Sequence, residues 1–328
     1  MSDQIDPPAL AVSFVLETDN FASHEDKQLF SASFVSWVES TQLAAQQLAL
    51  QAELIVVAED TDTLTTLDTL VKPFTEAFPD SQVTVMAAPG STYYDKKMLG
   101  ALRASHRYVM FVDSDVMYSP EWFSIMATTL ADKAPDVLYG ETFALAGNAR
   151  ENSTAVVWQF PFHGVADSRR RGQPHRWSNN WAVKTEILHA HPIPRVAGNL
   201  KVEGQLWDRR VTEAGYAIDS CPATAFHRQP TSLTEWWSLA VRSGRAQVAR
   251  RRLLNQSITP HLRGLVTARY LREACARVFS FARAPHAHAF SPVRATLLAC
   301  ARMGGLWWGT LSGLVSPHPS MSTDYSPK

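Results

Sequence analysis

Short apolar runs that alternate with helical stretches constrain this chain more than any other feature. Residues 9–16 (ALAVSFVL) read as a buried strand that stops at Glu17-Thr18-Asp19-Asn20. Residues 27–50 place apolar side chains at three- and four-residue spacing and are rich in Ala and Gln, which predicts a helix. A second buried strand, residues 53–58 (ELIVVA), is ended by Glu59-Asp60-Thr61-Asp62. A helix over 64–78 interrupted at Pro73, a strand over 82–87 and a helix over 95–105 follow. A fourth strand, 108–112 (YVMFV), then runs directly into Asp113. Such alternation predicts an α/β domain in which a parallel sheet carries helices on both faces. Ligands of such sheets bind beyond the carboxyl ends of the strands. Three of those ends are acidic here (Glu17/Asp19, Glu59/Asp60 and Asp113/Asp115), a rim suited to a metal ion and to ribose or sugar hydroxyls. No GxGxxG or GxxxxGK[ST] motif supports a dinucleotide or P-loop site.

Charge divides the chain in two. Residues 1–240 hold 18 Lys plus Arg against 29 Asp plus Glu, whereas residues 241–302 hold 12 Arg and one acid, Glu273. That asymmetry predicts two units with different partners. The basic unit meets either anionic lipid or the acidic body of its own protein, and no recognised nucleic-acid module surrounds it. Three scattered cysteines without a CxxC pair predict a reducing, cytoplasmic setting. The acidic, Pro-bearing start has no secretory core. The expected organisation is a flexible N-terminus (1–8), an α/β domain (9–232), a helical Arg-rich region (233–315) and a disordered Ser/Pro-rich tail (316–328).

Asp113-Ser114-Asp115 is the centre of the chemistry. Alternation along an extended chain sends residues i and i+2 to one side, which predicts that both carboxylates face one site. Such a pair suits Mg2+ or Mn2+ with coordination positions left for phosphate oxygens.

Lys97, Gly100, Ala104, the 108–112 strand and the DxD that follows fall at offsets that resemble those of the family-2 glycosyltransferases of GT-A fold. With the first strand and VVAEDTD, the resemblance covers roughly residues 10–235. It implies a Rossmann-like mixed sheet flanked by helices, a nucleoside-diphosphate-sugar donor, and a carbohydrate, lipid-linked or small-molecule acceptor. Glu17, Asp19, Glu59, Asp60, Lys97, Asp113, Ser114 and Asp115 are the implied donor contacts. Asp113, Asp115 and His227 are the implied metal ligands, since a histidine after the last strand completes the metal site in several members of the family. Lys201-Val202-Glu203-Gly204-Gln205-Leu206 resembles the acceptor-half motif, and Glu203 matches its catalytic aspartate. A general base there implies single displacement with inversion. Met98 and Glu17-Thr18-Asp19 depart from the family pattern and leave the base of the nucleotide open.

Trp158, Trp177 and Trp181 flank the acceptor half as sugar-stacking candidates, and Arg169 to Arg171 as a phosphate clasp or lid, with a solvated loop an equal reading. Residues 295–315 carry a single charge, Arg302, and four glycines. That composition disfavours a span and leaves two expectations for the C-terminal region: peripheral contact with the inner face of a membrane, or packing on the catalytic body. A sugar-phosphate nucleotidyltransferase and a non-catalytic nucleotide-sugar-binding protein are the alternatives.

Overall fold

The computed structural model describes residues 10–18, 24–45, 48–60, 67, 71–157, 160–163, 176–198, 200–230, 232–259, 265–283 and 289–325, with the side chains of 24–30 and 265–267 set aside. An eight-stranded mixed sheet is its centre. In chain order the strands are β1 (Leu10–Glu17), β2 (Leu50–Ala58), β3 (Gln82–Ala87), β4 (Tyr108–Asp113), β5 (Val116–Tyr118), β6 (Val137–Ala144), β7 (Asn180–Lys184) and β9 (Ile218–His227), in the spatial order β3-β2-β1-β4-β7-β6-β9-β5. The first four strands, all foreseen from the sequence, pair parallel with one another, and β6 pairs parallel with β9. β7 lies antiparallel between β4 and β6, and β5 pairs antiparallel with β9.

The parallel strands are buried on both faces, hence their unbroken apolar runs. Val12, Phe14 and Leu16 point to one side, where α1 (His24–Ala45) and α4 (Trp122–Lys133) cover them. Phe14 meets Trp37 edge-on at 4.9 Å, and Trp37 stacks on Phe74 at 5.4 Å. Val15, Ile55, Val57, Val109 and Phe111 point to the other side, onto α3 (Tyr93–Ala101) and α7 (Glu203–Glu213). α2 (Lys72–Ala77), α5 (Ala149–Val156) and α6 (Thr185–Ala190) complete the domain.

Several boundaries differ from expectation. Leu50 begins β2 rather than ending a helix, because the chain must already be extended to pair with Leu10. Pro73 sits in the first turn of α2, where its missing N–H costs no hydrogen bond, and most of residues 61–70 lie outside the described residues. β5, β6 and α5 had no legible periodicity.

Three helices follow: α8 (Leu233–Leu253), α9 (Leu265–Arg283) and α10 (Pro292–Val315). No helix among the described residues is long and apolar enough to cross a membrane. The glycines of α10 form a close crossing with α8. A Cβ on Gly309 would stand 2.0 Å from the Val241 carbonyl oxygen, and one on Gly244 would stand 2.3 Å from that of Leu306. Trp236, Phe281 and Leu298 share a core with Ala144, Ala155, Phe160 and Phe162 of the sheet domain. Arg302 turns into this junction, donating to the Val157 carbonyl with Trp236 and Tyr270 beside it.

The stretch expected to be disordered contributes β10 (Met321–Ser322), antiparallel to β8 (Arg195–Val196). Tyr325 then donates to the Ile193 carbonyl at 2.8 Å beneath the Arg195 guanidinium.

Candidate active site

The DxD is placed by the end of β4, but not as simple alternation foresees. Asp113 is the last strand residue and Ser114-Asp115 form the turn into β5, so the two carboxylates take different partners. Both oxygens of Asp113 face inward. Lys97 Nζ lies 2.6 Å from Oδ1, and the Tyr93 hydroxyl donates to Oδ2 at 2.5 Å. Lys97 also donates to the Tyr93 hydroxyl and to the Ser178 carbonyl, each at 2.5 Å. Its side chain is 0% exposed and that of Asp113 2%, so Lys97 is an internal countercharge rather than a cation at the surface of the site. Burial above all, then the Asp113 charge, holds the Tyr93 phenol well above its ordinary value, which keeps it a donor.

β1 delivers Glu17 beside Asp113 in register, fully buried, and Ser114 Oγ donates to its Oε1 at 3.4 Å. Asp19 lies outside the described residues, as do Trp158 and Arg169 to Arg171. Glu59 is half exposed and already engaged: Gly90 N–H donates to Oε1 at 3.0 Å, and Lys96 Nζ stands 3.0 Å from Oε2. The Lys96 hydrogen bond, first among its partners, holds the Glu59 carboxyl below its usual value. Asp60 beside it is exposed.

Asp115 meets His227, whose Nε2 stands 3.5 Å from Oδ2. β9 brings His227 there, opposite Val116 of β5, and Phe160 stacks on its ring at 4.5 Å. Nδ1 lies 2.6 Å from the Arg228 carbonyl oxygen. A carbonyl only accepts, so that bond assigns the neutral-ring proton to Nδ1 and turns the Nε2 lone pair toward Asp115. Two acceptors then face each other, an arrangement that favours a cation between them. Among the described residues no three His, Cys, Asp or Glu side chains gather as a metal-holding group, and Asp113 is committed to Lys97. Two protein ligands suffice for a divalent ion whose remaining positions go to phosphate oxygens and water, so the donor set fits such an ion.

Glu203 opens α7 with its side chain 2% exposed. Desolvation pushes its carboxyl up to about 7, and Oε2 is buried without a hydrogen-bond partner. Its neighbours explain the unusual acceptor motif. A Cβ at position 204 would stand 2.4 Å from the Tyr94 hydroxyl, which bonds Ser178 Oγ at 2.6 Å. Gln205 accepts from Arg250 of α8 at 2.6 Å. Tyr94 links the two halves of the site: burial foremost, then the charges of Glu203 and Asp113, raises its phenol. Trp181 is core, stacked between Phe111 and Tyr139 at 4.9 and 5.8 Å, and offers no face to a sugar. Trp177 is half-buried and edge-on to Phe160.

Sequence reasoning passed over Tyr93, Tyr94 and Ser178. A tyrosine one turn before a lysine on a helix near a DxD is the signal that pointed to the first.

The curled mixed sheet flanked by helices is the GT-A fold. The mannosyltransferase PcManGT from Pyrobaculum calidifontis, solved in complex with GDP-Man and Mn2+, shares this fold at 15% identity. Its TM-score is 0.53, over 94% of this chain and 89% of that one. S. aureus TarS 1-349 in complex with UDP-GlcNAc aligns over 97% of this chain and 98% of that one, at 12% identity and a TM-score of 0.48. No curated protein matches the chain. Residues 41–191 match the family model described as Glycosyl transferase family 2. The matched stretch contains Lys97, Asp113 and Asp115, while Glu17, Glu203 and His227 lie outside it.

Proposed function

We propose that the protein transfers a sugar from a nucleoside-diphosphate sugar to an acceptor hydroxyl with inversion, Glu203 acting as general base. The observation that carries this reading is the buried Glu203 carboxyl, pushed up to about 7 at the start of the acceptor-side helix. A carboxylate of that basicity takes a hydroxyl proton near neutral pH better than an ordinary surface glutamate. The acceptor oxygen, losing its proton to Glu203, forms the new glycosidic bond as the bond from the anomeric carbon to the diphosphate breaks. The leaving group departs from the opposite face, and the anomeric configuration inverts.

Asp115 and His227 would hold Mg2+ or Mn2+. A bound ion of this kind neutralises charge developing on a departing diphosphate. Lys97 and Tyr93 hold Asp113 in one orientation, so the strand end is preorganised before the donor arrives. Glu17 and Ser114 lie beside it as donor contacts, and Glu59 and Asp60 stand at the next strand end. The acceptor is a carbohydrate, lipid-linked or small hydroxyl compound in cell-surface glycan synthesis. The setting is cytoplasmic, with peripheral contact between the C-terminal region and the membrane.

A thermal-shift screen of nucleoside diphosphates and their sugars, with and without Mn2+, tests the donor site. One nucleotide series should raise the melting temperature in a metal-dependent manner. Asp115→Ala and His227→Ala should abolish that dependence. Glu203→Gln should keep the shift yet lower kcat by about 100-fold or more. A product that retains the donor's anomeric configuration would overturn the single displacement.

A further inference from the structure

α10 carries one charge between residues 295 and 315, and the fold turns it inward: Arg302 donates to Val157 and lies against Trp236 and Tyr270. The outward face therefore carries no charge over that length. Val293, Leu297, Trp308, Leu311 and Val315, all exposed, follow one another at four-, eleven-, three- and four-residue intervals and line one narrow stripe. Gly304 sits in the middle of the stripe, and a Cβ there would stand 3.3 Å from Trp237, whose exposed ring widens the stripe from α8. The edge is basic. Arg245 is exposed and donates to Ser312 at 2.9 Å, and Arg252 donates to the Leu314 and Ser316 carbonyls. Arg294 stands at the opposite end of the same helix. α10 contains no acidic residue; of the two acids in the helical region, Glu235 opens α8 and Glu273 is paired with Arg269 at 2.8 Å.

We infer that this face of α10 and Trp237 is a membrane-docking surface. It seats the protein on an anionic lipid surface with α10 lying in the interface and Arg245 and Arg252 at the level of the headgroup phosphates. Charge decides the occupant. An apolar stripe rimmed by guanidinium groups and lacking carboxylates complements a bilayer that presents both acyl chains and negative headgroups. A second copy of this chain would set the same arginines against one another. The surface stands apart from Glu203 and Asp115. It deepens the peripheral-contact part of the proposed function and does not depend on sugar transfer.

Flotation of the full chain with vesicles tests the surface. Vesicles of phosphatidylcholine plus phosphatidylglycerol should carry the protein, while those of phosphatidylcholine alone should leave it behind, and raised salt should weaken the binding. Leu297→Asp and Leu311→Asp lie on the exposed face, so the melting temperature should be unchanged. Each should weaken vesicle binding about tenfold or more. Arg245→Glu should weaken binding to anionic vesicles and flatten its dependence on salt. Equal binding to both vesicle types, wild-type binding by the two Asp variants, or no binding at all would overturn the proposal. So would dimerisation in sedimentation equilibrium that Leu311→Asp abolishes in a protein that ignores vesicles. Donor-induced thermal shifts on the same variants separate this question from sugar transfer: a lost surface with an intact donor shift condemns only the surface.

Discussion

The sheet domain and the helical region each take a cation away from water, and they settle its charge differently. Lys97 is fully buried and lies 2.6 Å from a buried carboxylate, so the pair is neutral, fixed, and central to the DxD. Arg302 is half-buried and rests on a backbone carbonyl and two aromatic faces. Carbonyl dipoles and ring quadrupoles hold a guanidinium without cancelling its charge. The first solution suits a domain with an excess of acids, where a countercharge holds a buried carboxylate still. The second lets a region with almost no acids pack a core and stay cationic outside.

That contrast can be broken by substitution. The largest effect is expected from Lys97→Met, which strands Asp113 as a buried, uncompensated charge and should cost about 3–5 kcal/mol in chemical denaturation. Adding Asp113→Asn should restore much of the loss, and a double variant no better than the single one would refute the pairing. Next comes Glu203, whose folded value of about 7 lies above the ordinary 4.5. Its contribution is fully present below 4.5 and is lost as pH rises through about 7, because the buried carboxyl must then ionise. Glu203→Gln should therefore match the wild type in acid and exceed it near pH 8 by on the order of 3 kcal/mol. Melting temperatures across that range measure it, and parallel curves would mean that Glu203 is not desolvated. The smallest effect belongs to Arg302→Met, about 1 kcal/mol, since the stem's packing is kept. A loss as large as that of Lys97→Met would erase the contrast between the two regions.

The legible parts of the molecule follow from local chemistry. β1, β2 and β4 are strongly apolar because both faces of a parallel sheet are buried, and that burial is written into consecutive residues. The DxD was readable because it adjoins such a strand. β5, β6 and α5 were not readable, since β5 is three residues long and β6 pairs antiparallel with β7 and parallel with β9, partners far away in sequence. Trp181 illustrates the same limit: its residue type suggested sugar stacking, and its neighbours Phe111 and Tyr139 make it core.

The amino-acid sequence by itself determined the strand–helix alternation, the acidic strand ends and the division of charge, because periodicity and composition are properties of neighbouring residues. Only the tertiary structure decided that Lys97 and Tyr93 hold Asp113, that Asp115 turns to His227, and that Arg302 faces inward while Trp308 faces out. It likewise decided that the glycines of α10, which weaken an isolated helix, let it close onto α8. Each of these depends on which surfaces the folded chain brings within a few ångströms, and dispersion, Coulomb attraction and desolvation act only at that range.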